Sequence, residues 1–431
     1  MEHPRLVEAI FGRLKPKAGQ PRRVPSLFQS RPSPQPHPSR PDSPKLSPSL
    51  PKPPPSSAPA GRIAKRFPLG LDLGMTSMTW AQLGVVNGQT TIVELGRRSL
   101  SFATLSEPER QAQVGETVRQ VVSQHHVGGE VVLSLPLEDV TLRLLKMPSL
   151  SEEERTQAIR WQIEQTLPPK VSYDEFIVDY VVLQEIAGSL ESRVLVASVP
   201  RQRVMAMVDL ARGVGLTPVA VEIDPFALAA GLAWQHRFRA DQTALVLHLG
   251  AATASLSVVA QEQLAFSRSL LTTARHLTQA VVDQLRVSWD EAEGLKREHG
   301  LLKAPEAPTG ELPAVPADDQ ALAVAQALAS PLENLIVDTL HTFKSFSHQV
   351  AQSRIQQFEQ VYLSGEAARL PGLVPWLQAR LQVPVQLVDP FGRLPMLDPG
   401  GAMQSWSQQA PQFAIAMGLA LHEVPPETPP A

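Results

Sequence analysis

The sequence predicts an α/β protein in which one arrangement of strands occurs twice. Two apolar runs, at residues 69–73 and 244–249, each end in a turn of small residues. Each run is followed by two further runs of strand length, which is typical of an antiparallel meander. Helical segments with apolar periodicity follow both meanders. An additional α/β unit at about 134–200 interrupts the first repeat.

The first 66 residues differ in composition from the rest of the chain. Residues 1–60 contain 16 of the 41 prolines, mixed with Ser, Lys and Arg. Such a segment cannot bury enough apolar surface to offset the entropy of ordering, so residues 1–66 are predicted to be a disordered tail. Within it, residues 5–14 have apolar positions on one helical face. This amphipathic segment would bind the body, a partner or a membrane, or remain a transient helix.

Charge divides the chain at the same place. Residues 1–66 carry 13 basic and 3 acidic residues, whereas the remainder carries 26 basic and 39 acidic residues. A basic tail on an acidic body is typical of an arm that binds an anionic surface such as lipid. The alternative is a solvated linker whose charges keep it soluble. No nucleic-acid partner is expected.

Composition excludes several classes of protein and site. The 431-residue chain contains no cysteine, which excludes disulfides, iron–sulfur clusters, thiolate zinc sites and cysteine nucleophiles. No run reaches the ~18 to 20 apolar residues that a membrane-spanning helix needs. The N-terminus also lacks the apolar segment of a secretory signal. These features predict a soluble protein of a reducing compartment.

The inserted unit contains a helix with a clear beginning. Ser151 and Glu154 form a capping-box pattern, in which each side chain satisfies a backbone N–H at the start of the helix. Two prolines at 168–169 end the helix. Ile159 belongs to its apolar stripe, which two strands further along the chain would cover.

The two small-residue turns have the composition of a phosphate-binding site. Backbone N–H groups of such a turn point into a common space and bind anions. Asp72, just before the first turn, would hold magnesium through water. The turn residues are Gly74, Met75, Thr76 and Ser77 in the first repeat, and Gly250, Ala251, Ala252 and Thr253 in the second. Each turn alone is more typical of an ordinary hairpin, but two that face each other would clamp a triphosphate.

Motifs spread along the chain carry a family resemblance. They include Gly70-Leu-Asp-Leu-Gly-Met-Thr-Ser77, Lys146-Met-Pro148, Arg160-Trp161, Asp224-Pro-Phe226 and Phe413-Ala-Ile-Ala-Met-Gly-Leu-Ala-Leu421. With these motifs in this order, the chain resembles the PilM family, actin-like cytoplasmic proteins of type IV pilus assembly and relatives of the division protein FtsA. Single motifs are shared with all actin-like ATPases, but the Met-Pro, Arg-Trp and C-terminal motifs are closer to the PilM family itself.

The resemblance implies an actin-like, two-lobed fold built from duplicated ribonuclease H-like domains. The first lobe would comprise residues 67–242, including the inserted subdomain at about 134–200. The second would comprise residues 243–431, with an outer subdomain at about 276–356. The last helix would return to the first lobe.

The resemblance also implies ATP and magnesium in the cleft between the lobes. The turn residues and Asp72 would form two phosphate loops, and Gly365 and Glu366 would belong to an adenosine loop. Asp72 and Asp224 would be the catalytic candidates, because a carboxylate is needed to place water or a substrate hydroxyl. His341 and Lys344, on a long helix where arginines often occur, would be weaker nucleotide candidates.

Two departures from the family pattern make hydrolysis a weaker expectation than nucleotide binding. His248 stands where the family usually has an aspartate, and a histidine does not replace a hard oxygen ligand of magnesium. We interpret His248 as a buried histidine bonded to the backbone, with a catalytic role as the alternative. Glu366 stands where a second glycine is usual, so its carboxylate would repel phosphate or crowd the base.

For function, the resemblance implies a cytoplasmic adaptor, peripheral to the inner membrane of a bacterium. A groove around the inserted subdomain, with Trp161 and Ile159 as candidates, would bind the N-terminal peptide of a PilN-like membrane protein. Through that protein the chain would join PilO and the assembly ATPase. The alternatives are an active ATPase or phosphotransferase of the actin and sugar-kinase class, and a relative in type II secretion with a similar fold.

Overall fold

A computed structural model provides the structure of the chain. It describes residues 62–100, 107–125, 129–185, 191–235, 242–260, 263–301, 319–349, 357–392, 394–397 and 403–425. The amphipathic segment at 5–14 and almost all of the predicted tail lie outside the described residues.

The described residues form fourteen strands, which are assembled in three sheets. In chain order they are β1 (Ile63–Arg66), β2 (Leu69–Leu73), β3 (Ser77–Val86), β4 (Gln89–Ser99), β5 (Gly129–Leu135), β6 (Thr141–Pro148), β7 (Phe176–Glu185), β8 (Glu191–Pro200), β9 (Leu216–Ile223), β10 (Thr243–Leu249), β11 (Ala254–Ala260), β12 (Gln263–Ser269), β13 (Gln360–Ser364) and β14 (Val385–Leu387).

Helices connect and cover these strands. In chain order they are α1 (Glu107–His125), α2 (Glu152–Glu164), α3 (Arg201–Gly213), α4 (Asp224–Gln235), α5 (Ala274–Leu285), α6 (Trp289–His299), α7 (Gln320–Gln349), α8 (Leu373–Leu381), α9 (Met403–Gln408) and α10 (Ala414–Ala420). Within the described residues, none of the helices combines the length and apolar character that a bilayer crossing requires.

The two large sheets have the same topology. In the first lobe, β2, β3 and β4 form an antiparallel meander, and β5 and then β9 extend the sheet in parallel from β2. In the second lobe, β10, β11 and β12 form the meander, and β13 and then β14 extend it from β10. The repeated order confirms the predicted duplicated, two-lobed α/β fold.

The first sheet contains one strand that the sequence did not predict. Residues 63–66 were expected in the tail, but they form β1, which pairs with the far end of β3. The strand is short and mostly exposed, so no apolar pattern distinguishes it from the basic tail before it. The ordered body therefore begins before residue 67.

The inserted subdomain is a three-stranded sheet, in the order β6-β8-β7, covered by α2. The predicted capping box is present, because Ser151 accepts from the Glu154 backbone and the Glu154 carboxylate accepts from the Ser151 backbone. Ile159 and Ile163 of α2 pack against β8 in a small core of their own. The subdomain therefore has an interior separate from that of the lobes.

Two helices lie at the centre of the molecule, close enough for their backbones to touch. A Cβ atom on Gly418 of α10 would lie 1.9 Å from the Ala227 carbonyl oxygen of α4. Similarly, a Cβ atom on Gly70 of β2 would lie 2.2 Å from the Ala416 carbonyl oxygen. Only glycine fits these crossings, so the last helix of the chain packs directly into the core of the first lobe.

Candidate functional site

The strand ends of both lobes meet at one cavity of about 840 Å³. This follows from the topology, because the carboxyl ends of parallel strands lie at the same edge of a sheet. All of the predicted catalytic and loop residues line this cavity: Asp72, Gly74, Met75, Thr76, Ser77, Asp224, Gly250, Ala251, Ala252, Thr253, Gly365 and Glu366. The two turns therefore face each other across the cleft.

Asp72 lies at the end of β2, where the cleft begins. Its carboxylate accepts hydrogen bonds from the hydroxyls of Thr79 and Ser134, each at 3.3 Å. Burial raises the pKa of Asp72 to about 6, although both hydrogen bonds act in the opposite direction. Near neutral pH this carboxylate is close to the point at which it takes up a proton.

Asp224 is a second carboxyl group beside Asp72. It is 8% exposed, and its Oδ1 atom has no hydrogen-bond partner within the described part of the chain. Burial and then the nearby charge of Asp72 raise the pKa of Asp224 well above its usual value. Two such groups repel each other when both are ionised, and a cation would relieve that repulsion.

The carboxyl pair fits a hydrated magnesium ion. Carboxylate oxygens are suitable ligands for this hard cation, which usually retains several waters. Within the described residues, no three acidic or histidine side chains converge as a metal-binding group. Magnesium here would therefore take most of its ligands from water and from phosphate.

His248 occupies in β10 the position that Asp72 occupies in β2. Its Nδ1 atom lies 3.0 Å from the Ser364 hydroxyl, so its partner is a side chain and not the backbone that we expected. Burial lowers the pKa of His248 to about 4, and the ring is therefore neutral near pH 7. The ring also lines the cleft.

The start of α5 supports the second turn. The backbone N–H groups of Ala274 and Arg275 donate to the carbonyls of Gly250 and Ala251, both at 3.0 Å. Within the turn, Gly250 donates to the Thr253 carbonyl at 2.9 Å. The turn is thus anchored to a helix of the second lobe.

Two predicted nucleotide candidates lie away from the cleft. His341 and Lys344 are exposed on α7, and neither lines the cavity. The resemblance pointed to this helix, but both side chains face solvent. The structure therefore does not support a direct contact between these residues and a ligand in the cleft.

Several side chains at the cleft were not predicted. Ser134 donates a hydrogen bond to Asp72, and the Ser364 hydroxyl lies within hydrogen-bond distance of His248. Their position at the carboxyl ends of β5 and β13, the edge of each sheet at which the cleft lies, could have identified them from the sequence. Arg203 was also missed, and it donates to both Asp139 carboxylate oxygens at 2.9 and 2.7 Å beside the cavity.

A smaller groove of about 270 Å³ lies on the inserted subdomain. Trp161 lines it and is 62% exposed. The other lining residues are Thr141, Arg143, Leu145, Gln162, Ile163, Gln165, Thr166, Val196 and Ser198. Ile159 was predicted to line this groove, but it is 1% exposed in the subdomain core because it faces β8.

Comparison with known families gives a match over most of the chain. The profile of a family described as type IV pilus assembly protein PilM matches residues 70–309 and 320–424. Among solved structures, one described as the PilM–PilN type IV pilus biogenesis complex matches with a TM-score of 0.69 and 23% identity. The match covers 83% of this chain and 99% of that chain.

More distant structures also match over most of their length. The ethanolamine utilization protein EutJ from Carboxydothermus hydrogenoformans has a TM-score of 0.46 and 14% identity, over 83% of this chain and 89% of that one. MreB 5 of Spiroplasma citri, bound to AMPPNP, has a TM-score of 0.43 and 13% identity, over 84% of this chain and 97% of that one.

Proposed function

Because the chain belongs to the PilM family of type IV pilus assembly proteins, we propose that it is a cytoplasmic adaptor with two binding sites. The cleft between the lobes binds a nucleotide with magnesium. The groove of the inserted subdomain binds the N-terminal peptide of a PilN-like inner-membrane protein. That protein connects the adaptor to PilO and to the assembly ATPase, and the basic tail adds contacts with anionic lipid.

The observation that supports nucleotide binding is the pair of turns on opposite walls of the cleft. Thr76 and Thr253 belong to different lobes and line one cavity. Backbone N–H groups and hydroxyls of both turns would hold the phosphates. Magnesium, when bound, would neutralise phosphate charge beside Asp72 and Asp224.

Hydrolysis is the second candidate function, and one observation favours it. Asp72 has a pKa near 6, which is suited to accepting a proton from water or from a substrate hydroxyl. Neutral His248 opposes it, because the second lobe then offers no carboxylate at the matching position. We therefore rank binding above turnover.

Trp161 supports peptide binding at the inserted subdomain. Large aromatic side chains beside a pocket are frequent anchors of protein interfaces. The groove combines apolar walls, such as Leu145 and Val196, with polar groups such as Arg143. An extended peptide with an apolar side chain fits this arrangement.

Strand β6 provides a route between the two sites. Thr141, Arg143 and Leu145 face the groove, whereas Leu144, on the opposite face, packs against the core of the second lobe. Just before β6, burial raises the pKa of Glu138, and the nearby backbone of Ala254 in that lobe acts in the opposite direction. A ligand that shifts the lobes would therefore also shift β6, and the affinity of the groove for the peptide would change.

Calorimetry with a synthetic N-terminal peptide of the PilN homologue tests both sites. We expect Trp161→Ala to weaken peptide binding by about tenfold or more, as is typical of an aromatic anchor. Trp289→Ala, at a 38% exposed tryptophan of the second lobe, is the matched control. If the Trp161→Ala variant bound the peptide as tightly as wild type does, the groove would not be the peptide-binding site.

The same titrations with and without magnesium-ATP test the coupling. If the nucleotide changes peptide affinity by some factor, the peptide must change nucleotide affinity by the same factor. No effect in either direction would refute the coupling while leaving both binding sites intact.

A further inference from the structure

One side chain of the cleft has partners in both lobes. The Glu366 carboxylate of the second lobe accepts a hydrogen bond from the Thr76 hydroxyl of the first lobe at 3.1 Å. Arg297 of α6 donates to its other oxygen at 3.3 Å, and Arg97 of β4 lies 3.8 Å from that oxygen. Together, Thr76, Glu366, Arg297 and Arg97 form a contact between the lobes that we call the latch.

The backbone before Glu366 determines where its side chain lies. Gly365 has a φ of +93°, and a Cβ atom there would lie 2.5 Å from the Leu249 carbonyl oxygen. Only glycine fits both conditions. Gly365 also donates to the Pro411 carbonyl at 3.0 Å. This turn therefore holds Glu366 close to the second phosphate loop.

The charges around Glu366 suit an anion. Arg97 and Arg297 approach the same carboxylate oxygen, and burial lowers the pKa of Arg97 while Glu366 acts against that shift. Arg297 is shared with Glu293, which also pairs with Lys296 at 2.6 Å. Without Glu366, Arg97 and Arg297 would lose the carboxylate oxygen that both approach, and a second anion would be favoured there.

We propose that Glu366 is an internal anion, which latches the two lobes and which a phosphate-bearing ligand must displace. This proposal rests on nucleotide binding in the cleft. The Thr76 hydroxyl has one proton to donate, and in the latch it donates it to Glu366. A nucleotide phosphate that approaches the same turn competes for that hydroxyl and meets a carboxylate of like charge.

Glu366 thereby determines how strongly the cleft prefers a polyanion. The latch gives the ligand-free protein a closed contact between its lobes. It also lowers nucleotide affinity by the free energy needed to break that contact. A family member with glycine at this position would lack both effects.

Two substitutions of Glu366 test the proposal with the full-length protein. Glu366→Gln removes the charge at nearly constant size, and Glu366→Gly removes the side chain. Glu298→Gln, on the exposed surface of α6, makes the same change in net charge away from the latch and is the control. We expect magnesium-ATP to bind both Glu366 variants about tenfold more tightly than wild type in calorimetry, and the control to bind like wild type.

Amide hydrogen exchange without nucleotide provides an independent measurement. Opening of the latch exposes the first turn, so exchange at residues 73–77 should be faster in both Glu366 variants than in the control. If these amides exchanged equally fast in wild type and in the Glu366 variants, Glu366 would not latch the lobes. If exchange were faster in the variants but their nucleotide affinity were unchanged, the ligand would not need to displace Glu366.

A failure of nucleotide binding gives a different pattern. If neither wild type nor variants bind magnesium-ATP while exchange is faster in the Glu366 variants, the latch holds and the nucleotide site of the proposed function is refuted. If the variants show neither binding nor faster exchange, both are refuted.

Discussion

The two lobes present the same geometry to the cleft with different chemistry. In the first lobe, Asp72 lies one residue before the end of its strand and pairs with Ser134 of the next parallel strand. In the second lobe, His248 has the equivalent position and pairs with Ser364. Duplication has retained the placement of a polar residue and its serine, while the residue itself is an acid on one side and a neutral base on the other.

Burial acts on these two residues in opposite directions. It raises the pKa of Asp72 to about 6 and lowers the pKa of His248 to about 4. In both cases the low-dielectric environment disfavours the charged form. Near pH 7 the cleft therefore has an ionisable carboxyl pair on one wall and an uncharged ring on the other, so cation binding is expected from the first lobe alone.

The largest effect is expected when the second lobe is made chemically like the first. His248→Asp would supply a carboxylate on the second wall, and we expect phosphate release from magnesium-ATP to rise about 100-fold, the lower end of what a positioned acid–base group contributes. His248→Asn is the control, because it removes the ring without adding charge. Equal rates for the two variants would show that the missing carboxylate does not limit turnover.

The next effect concerns magnesium. We expect Asp72→Ala to weaken magnesium-ATP binding by about 10- to 100-fold, the usual range for residues that hold a metal through water. His248→Ala should change it much less. Calorimetry with and without magnesium separates the causes, since the loss in Asp72→Ala should disappear when the metal is removed. Equal losses for both variants would contradict the assignment of the cation to the first lobe.

The pH dependence of stability should differ in sign between the lobes. The native state holds the Asp72 proton more tightly than the unfolded chain, so this residue costs stability as the pH rises from about 4 to about 6. Asp72→Asn should therefore gain stability over wild type across that range, on the order of 3 kcal/mol in the free energy of unfolding.

His248 should give the opposite trend in the same urea titrations. Its native pKa lies below its unfolded value, so it costs stability as the pH falls from 6.5 to about 4. As the pH falls over that range, His248→Asn should gain stability over wild type, again on the order of 3 kcal/mol in the free energy of unfolding. If the free energy of unfolding of either variant changed with pH in parallel with that of wild type, the substituted residue would have the same pKa in the folded and unfolded states.

The smallest effect concerns the serines. Ser364→Ala leaves a buried imidazole nitrogen without its partner, and we expect a loss of about 1 to 2 kcal/mol in the free energy of unfolding at any pH between 6.5 and 8. Ser134→Ala should raise the pKa of Asp72 further, so its cost should grow with pH over the range 5 to 7. If the loss of stability were independent of pH in both variants, Ser134 would not affect the pKa of Asp72.

Local pattern was sufficient to predict the repeated strands and the turns. Each hairpin at the cleft combines apolar alternation with Gly, Ser or Thr at the turn, and both signals lie within a few residues. Strand β6 was not predicted, because residues 141–148 mix apolar, basic and proline positions on a strand that contacts two different surroundings. Only the assembled insert shows which side chains face which neighbour.

Contacts between distant parts of the chain could not be predicted. Thr76 and Glu366 are 290 residues apart, and Glu366 alone suggested repulsion of phosphate or crowding of the base. The arginines that surround it become visible once two lobes are placed together. For Ile159, apolar periodicity correctly placed the side chain under the insert's own strands, whereas the family resemblance placed it at the partner groove.

The crossing of α10 with α4 has a consequence for biosynthesis. Residues 414–420 complete the interior of a lobe whose first strand is made more than three hundred residues earlier. While the chain emerges from the ribosome, that lobe has an open seam along β2 and α4, and apolar surface remains accessible to chaperones until translation is almost finished. A nascent chain that stops before Gly418 cannot close the seam, so premature termination even near the end would leave the first lobe incompletely folded.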